Sequence, residues 1–126
     1  MATTTFEVSH EVDNQLLADT IITAAVEGGI GYWSDTITCK WTEGPEHTTA
    51  TVLEIGDGDE NPPAHVITLD TIVKGIRRIL SGSVKIDNQI HGYVALAVAE
   101  NDAGFIDSVA ADCIVQAGLF DELVYG

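Results

Sequence analysis

Two groups of residues in this chain have the types and spacing to meet a ligand. The first is the bend Val26-Glu-Gly-Gly-Ile-Gly-Tyr-Trp-Ser34, in which Gly28, Gly29 and Gly31 precede the adjacent aromatics Tyr32 and Trp33. One glycine suits a helix end, because it adopts a left-handed backbone at no steric cost. Two more exceed that need and predict a close backbone approach, either to another element or to a ligand. The second group is cationic. Only five Lys or Arg occur (Lys40, Lys74, Arg77, Arg78, Lys85), and three of them share one predicted helix. On its wheel Lys74 and Arg78 lie opposite the apolar face, and Arg77 on the flank at roughly 100°. Pairing of Asp70 with Lys74, and the preference of late basic residues for a helix C-terminus, account for Lys74 and Arg78. They account less well for the concentration in so cation-poor a chain. The sharper expectation is an anion pocket lined by Arg77, Arg78 or Lys85, with Trp33 as the stacking aromatic. The candidate ligand-binding residues are therefore Gly28, Gly29, Gly31, Tyr32, Trp33, Arg77 and Arg78, and the candidate ligand is a nucleotide-like anion.

Other chemistries find little footing. There is no Walker motif, and Gly29-Ile-Gly31 precedes a predicted strand where a dinucleotide fingerprint needs a helix. Asp57-Gly-Asp-Glu-Asn61 imitates the start of a calcium loop. However, Pro62 stands where the loop needs glycine and Thr68 where it needs glutamate. His10, His47, His65 and His91 show no ligand spacing. Cys39 and His47 across a hairpin would make a thiolate pair, but Cys39 shares strand parity with Trp33 and Trp41, which favours the core. Two cysteines are too few for a disulfide framework and read as buried thiols in a reducing cytosol. Catalysis, a metal and a cofactor are accordingly not expected.

The elements that must position these residues read as an α+β domain. Thr3 to Ser9 is a short strand or an arm. Asp13 is the expected N-cap of a helix from Asn14 to about Glu27, apolar most of the way round and so buried; a buried strand over Thr20 to Val26 is the alternative. Tyr32 to Trp41 alternates as a strand with Trp33, Ile37, Cys39 and Trp41 on one parity. A turn over 42–47 returns the chain into a strand over Thr48 to Ile55. An acidic loop, 56–63, leads to a third strand over His65 to Leu69. Thr68-Leu-Asp70 opens a helix with Ile72, Val73, Ile76, Ile79 and Leu80 on one side, stopped by Gly82. Asp87 to Ala99 is a further helix with Ile90, Val94 and Ala97 inward. Asp107 caps another over Val109 to Leu119, and the tail 119–125 is a last strand. The expectation is an antiparallel meander of about three to four strands with three to four helices on one face.

At 126 residues the chain is one domain, residues 1–126, with an apolar fraction of 45% that supports a core. The net charge of −15 is unevenly spread: residues 1–39 and 86–126 hold six and seven acids and no Lys or Arg. Such a surface repels nucleic-acid phosphates and anionic membranes, and suits a partner with a basic groove. Alternatively the acidity serves solubility or reflects a salty cytoplasm. No apolar run approaches a membrane span, and no basic residue precedes an apolar block at the N-terminus, so neither a membrane segment nor a secretory signal is expected.

Three blocks, Ile21-Ile-Thr-Ala-Ala-Val-Glu-Gly-Gly-Ile-Gly-Tyr-Trp33, Ile67-Thr-Leu-Asp-Thr-Ile-Val-Lys-Gly-Ile76 and Ala111-Asp-Cys-Ile-Val-Gln-Ala-Gly-Leu-Phe120, together resemble a set of small proteins found in phages, prophages and actinobacterial genomes. The resemblance implies a virus-associated accessory protein acting in the cytoplasm of a bacterial host. It brings no catalytic residues with it. Such proteins often blunt host defence by holding a nucleotide signal or by occupying the nucleic-acid groove of a host protein. Three function classes follow: a counter-defence module that sequesters a nucleotide-like anion, an acidic DNA mimic that inhibits a host nucleic-acid-binding protein, and a structural virion component. A homo-oligomer through an exposed strand edge fits any of them.

Overall fold

The computed structural model describes residues 3–6, 10–14, 16–40, 48–55 and 62–126. Its centre is a pair of helices, α2 (Leu69–Ser81) and α4 (Ser108–Phe120), that touch backbone to backbone. A Cβ on Gly75 would stand 2.0 Å from the carbonyl oxygen of Ile114, and one on Gly118 would stand 2.1 Å from that of Thr71. The two glycines thus form reciprocal notches, one on each helix. Helix α2 starts at Thr68, whose hydroxyl accepts from the Thr71 amide while Thr71 accepts from the Thr68 amide, and it stops at left-handed Gly82. Asp107 caps α4 by accepting from the Ala110 amide at 2.8 Å. Asp87 likewise caps α3 (Asn88–Glu100), which buries Val94, Ala97 and Val98. A short 3-10 turn, Ala103–Phe105, links α3 to α4.

The first helix, α1 (residues 16–29), is continuous but not uniform. Wide-turn segments Leu16–Ile21 and Ala25–Gly29 flank an ordinary α-helical piece, Ile22–Ala24. Its closing bond runs from the Ile30 amide to the Ala25 carbonyl, a step of five residues. The sequence explains the width. Apolar residues recur as Leu17-Ala18, Ile21-Ile22, Ala25-Val26 and Gly29-Ile30, a strict period of four. In an ideal α-helix each such step drifts about 40° around the axis, which is why the stretch reads as apolar all round. A wider turn keeps the stripe on one side, and of these eight residues all but Val26 are buried.

The strands form two sheets. Strands β1 (Thr3–Phe6) and β2 (His10–Asp13) make a two-stranded antiparallel pair. Asp13 is the last residue of β2, and helical backbone begins directly after it at Asn14. Strands β3 (Ser34–Lys40), β4 (Thr49–Glu54) and β5 (Ala64–Ile67) make an antiparallel meander in that order. Ala50 pairs with Ile67 in register, and both face inward with Val52. The outward side leaves Val66 exposed. In β3 a register shift between Thr36 and Thr38 breaks the alternation, so Ile37 is exposed while Trp33 is buried. Trp41 and the turn over 42–47 lie outside the described residues. The architecture is α+β, with the helices on the inner face of the meander. The tail 121–126 is not a strand, because α4 runs through Phe120 before turning at left-handed Asp121. Among the described residues no helix is long and apolar enough to cross a membrane.

Candidate functional site

Where α1 ends, the chain folds back on itself through a tightly bonded bend. The carbonyl of Ile30 accepts from the amides of Trp33 (3.1 Å) and Ser34 (3.0 Å) and from the Ser34 hydroxyl (2.9 Å). The Trp33 carbonyl in turn accepts from the Ile55 amide at 2.8 Å, which ties the bend to the end of β4. Gly29 supplies the close approach that three glycines predicted, and its partner is another element. A Cβ there would lie 2.4 Å from the Ser108 carbonyl oxygen at the start of α4. Gly31 meets nothing within 4 Å of such a Cβ.

This packing places Tyr32 and Trp33 over one side of α4, where Asp112 and Gln116 stand one turn apart. The Trp33 indole N–H donates to Asp112 Oδ1 at 2.8 Å, and the Tyr32 hydroxyl donates to Oδ2 at 2.6 Å. The Gln116 amide donates to Oδ1 at 2.9 Å and to the Tyr125 carbonyl at 3.2 Å, while its own oxygen accepts from the Tyr125 amide at 2.8 Å. The tail is thereby held against α4. The Tyr125 ring stacks on Trp33 with centroids 5.0 Å apart and planes 2° from parallel. The Tyr125 hydroxyl donates to Glu54 Oε1, and Glu54 Oε2 lies 2.9 Å from His65 Nε2.

Between the bend, α4 and the tail lies a pocket of about 440 Å³, within the range of small-ligand sites. Gly28, Gly29, Tyr32, Asp112, Leu123 and Tyr125 are among its walls, with Ser108, Val109, Cys113 and Gly126. No Lys or Arg is among them. The structure thus divides the candidate residues. Gly28, Gly29 and Tyr32 line the pocket. Trp33 stands behind the wall, 2% exposed, with its ring already stacked on Tyr125. Arg78 is half-buried and not opposite the apolar face. It follows Thr71 and Gly75 along the stripe that packs on α4, and it donates to the carbonyls of Ala117 (2.7 Å) and Gly118 (3.0 Å) while pairing with Asp121 at 3.2 Å. It caps the C-terminus of α4, a neighbouring helix. Lys74 pairs with Asp70 at 2.9 Å, as the spacing predicts. Arg77 is exposed on α2 and does not line the pocket.

No family model, curated protein or solved structure matches this chain. What the pocket can do follows from its groups alone. Burial, and then the Asp112 carboxylate, push the Tyr32 hydroxyl up to about 12, so it remains a donor at neutral pH. Burial, followed by Asp112, Asp107 and Asp87, pushes the Cys113 thiol up to about 11, which keeps it out of the thiolate form a nucleophile requires. Burial also raises the Cys39 thiol, with Glu27 and Asp19 adding to it. His47, the other half of the disfavoured thiolate pair, and the Asp57–Asn61 loop lie outside the described residues. Among the described residues no three His, Cys, Asp or Glu side chains gather to hold a metal ion. Hydrogen bonds from Tyr125 and then His65 hold the Glu54 carboxyl below its usual range.

Asp112, Gln116, Tyr125 and Glu54 carry the network, and sequence reasoning did not select them. One signal was available. Asp112 and Gln116 are an i, i+4 polar pair inside the otherwise apolar run Ala110–Ala117, a pattern that places two hydrogen-bonding groups on one buried helix face.

Proposed function

We propose that this chain is a binding protein without turnover, an acidic accessory protein that occupies the basic nucleic-acid groove of a host protein. The observation that carries the reading is the charge of the ligand-facing surface. The pocket walls contain a carboxylate and no cation, and the residues adjoining them in sequence, Glu27, Asp107 and Glu122, are acidic and exposed. With a net charge of −15, such a surface attracts a basic protein at long range and repels nucleotides. A sequestered nucleotide-like anion is the poorer fit. Trp33 has no free face for a base, and the Arg78 guanidinium is engaged at the end of α4. The resemblance to phage-associated proteins supplies the setting, the cytoplasm of an infected bacterium.

Calorimetry with three probes tests the reading: an oligo-arginine peptide, a cyclic dinucleotide and ADP-ribose. Heat with the peptide that shrinks as salt rises, and none with either nucleotide, is the expected result. Saturable binding of a nucleotide with no response to the peptide would overturn it.

A further inference from the structure

Asp112 is a buried carboxyl group with no cationic partner among the described residues. It is 7% exposed, and its partners, the Trp33 indole, the Tyr32 hydroxyl and the Gln116 amide, are all neutral donors. The ion pairs among the described residues do not include it. Buried charges are ordinarily paired, because neutral hydrogen bonds only partly replace lost hydration. A carboxylate offers about four lone-pair sites. Oδ1 accepts two hydrogen bonds here and Oδ2 accepts one, from Tyr32. The remaining site is therefore on Oδ2, beside Tyr32, and Tyr32 and Asp112 both line the pocket.

Two helix ends meet at the pocket, the C-terminus of α1 at Gly28 and Gly29 and the N-terminus of α4 at Ser108 and Val109, and their dipoles offset one another there. One further feature favours a cation at that place. Tyr32, Val109, Leu123 and Tyr125 give the cavity walls that suit an alkyl stem and a flat cationic head. The absence of a three-ligand cluster among the described residues favours an organic cation over a metal ion.

We propose that this pocket receives an arginine side chain of the partner, with the guanidinium against Asp112 Oδ2 and its stem along Tyr32, Val109 and Leu123. The inference rests on the basic-partner reading for the source of the arginine, though not for the charge of the group bound.

The test follows the Trp33 indole N–H by NMR while N-acetyl-arginine amide is added, and measures oligo-arginine peptide affinity in parallel. The expected result is a saturable shift of that resonance and of the Gly28 and Gly29 amides. Peptide binding should weaken about tenfold or more in Asp112→Asn. Because Asp112 also holds Trp33, that variant is paired with Val109→Lys. Val109 is 55% exposed, so the core is spared, while the lysine supplies a tethered cation at the pocket. It should weaken the peptide to a similar degree. Peptide binding unchanged in both variants, with no indole shift, would overturn the pocket assignment and leave the basic-partner reading standing. An indole shift with arginine amide but no binding of any basic peptide would sustain the pocket and remove that reading.

Discussion

Replacing Gly75 by alanine should destabilise this protein, although alanine is the better helix former. In an open helix the change is worth about 1 kcal/mol in favour of alanine. Here the new Cβ would stand 2.0 Å from the Ile114 carbonyl oxygen and 2.9 Å from its carbon. Backbone atoms cannot rotate away, so α2 and α4 must separate by more than an ångström. Overpacking of this kind costs about 1–3 kcal/mol, and more where the obstruction is backbone. Separation also stretches the Arg78 bonds to Ala117 and Gly118 and shifts Asp112 from Trp33. The helix-propensity gain offsets only part of this, leaving a net loss of about 2 kcal/mol or more, a fall in Tm of roughly 6–12 °C. Gly92→Ala is the control. It lies inside α3 with nothing among the described residues within 4 Å of the added carbon, and it should gain up to about 1 kcal/mol. Urea and thermal unfolding followed by circular dichroism measure both. Gly75→Ala as stable as the wild type, alongside a stabilised Gly92→Ala, would refute the notch.

Trp33→Phe removes the 2.8 Å donor to Asp112 and part of the stack on Tyr125, and should cost about 2–4 kcal/mol in urea unfolding; an unchanged midpoint would count against the network. In alkali, the raised Tyr32 hydroxyl means that the folded form keeps its proton after the unfolded chain has begun to lose it. Its contribution to stability is complete below pH 10 and is lost as pH rises towards about 12, so Tyr32→Phe should flatten that limb of a pH–stability profile. In acid the sign reverses for Glu54. Its lowered carboxyl contributes fully above the ordinary glutamate value near 4.3, and the contribution is lost as pH falls through the depressed one; Tyr125→Phe, which deletes the main hydrogen bond holding it down, should shrink the acid dependence.

The sequence made the helices legible where caps and period agreed. Thr68, Gly82, Asp87 and Asp107 act at the ends where their side chains or backbone freedom predict. The β3–β4–β5 meander followed from alternation and turn composition. Three features escaped for identifiable physical reasons. The period-four repeat of α1 has no place on a 3.6-residue wheel, so a one-sided stripe looked like an all-round one. The large apolar residues of α2 dominate its wheel and hide the narrower stripe of Thr71, Gly75 and Arg78 that meets α4. The tail looked like a strand because Leu123, Val124 and Tyr125 are β-formers, whereas it is fixed by one amide side chain, Gln116, which bonds both the N–H and the C=O of Tyr125. At the site, the bend was visible from its glycines and aromatics. Its partner was not, because whether Gly29 meets a ligand or a helix is a matter of tertiary packing.

In the proposed complex, surface acidity and the Asp112 pocket would act on different parts of the binding reaction. Exposed carboxylates such as Glu27, Asp107 and Glu122 act through solvent. Salt screens them within about 10 Å at 0.1 M, so in that complex they would govern the encounter rate. A guanidinium on Asp112 would meet a carboxylate that is only 7% exposed, so it would govern how long the complex lasts and would respond less to salt than the surface charges do. Charge neutralisation at Glu27 and Glu122 should therefore slow association and reduce its salt dependence while leaving dissociation nearly unchanged. Val109→Lys should chiefly speed dissociation. Surface plasmon resonance with an immobilised arginine-rich peptide separates the two rates. If both sets of substitutions altered only association, the pocket would be one more patch of diffuse negative charge, and the buried carboxylate would have a purely structural role in tying Tyr32, Trp33 and Gln116 together.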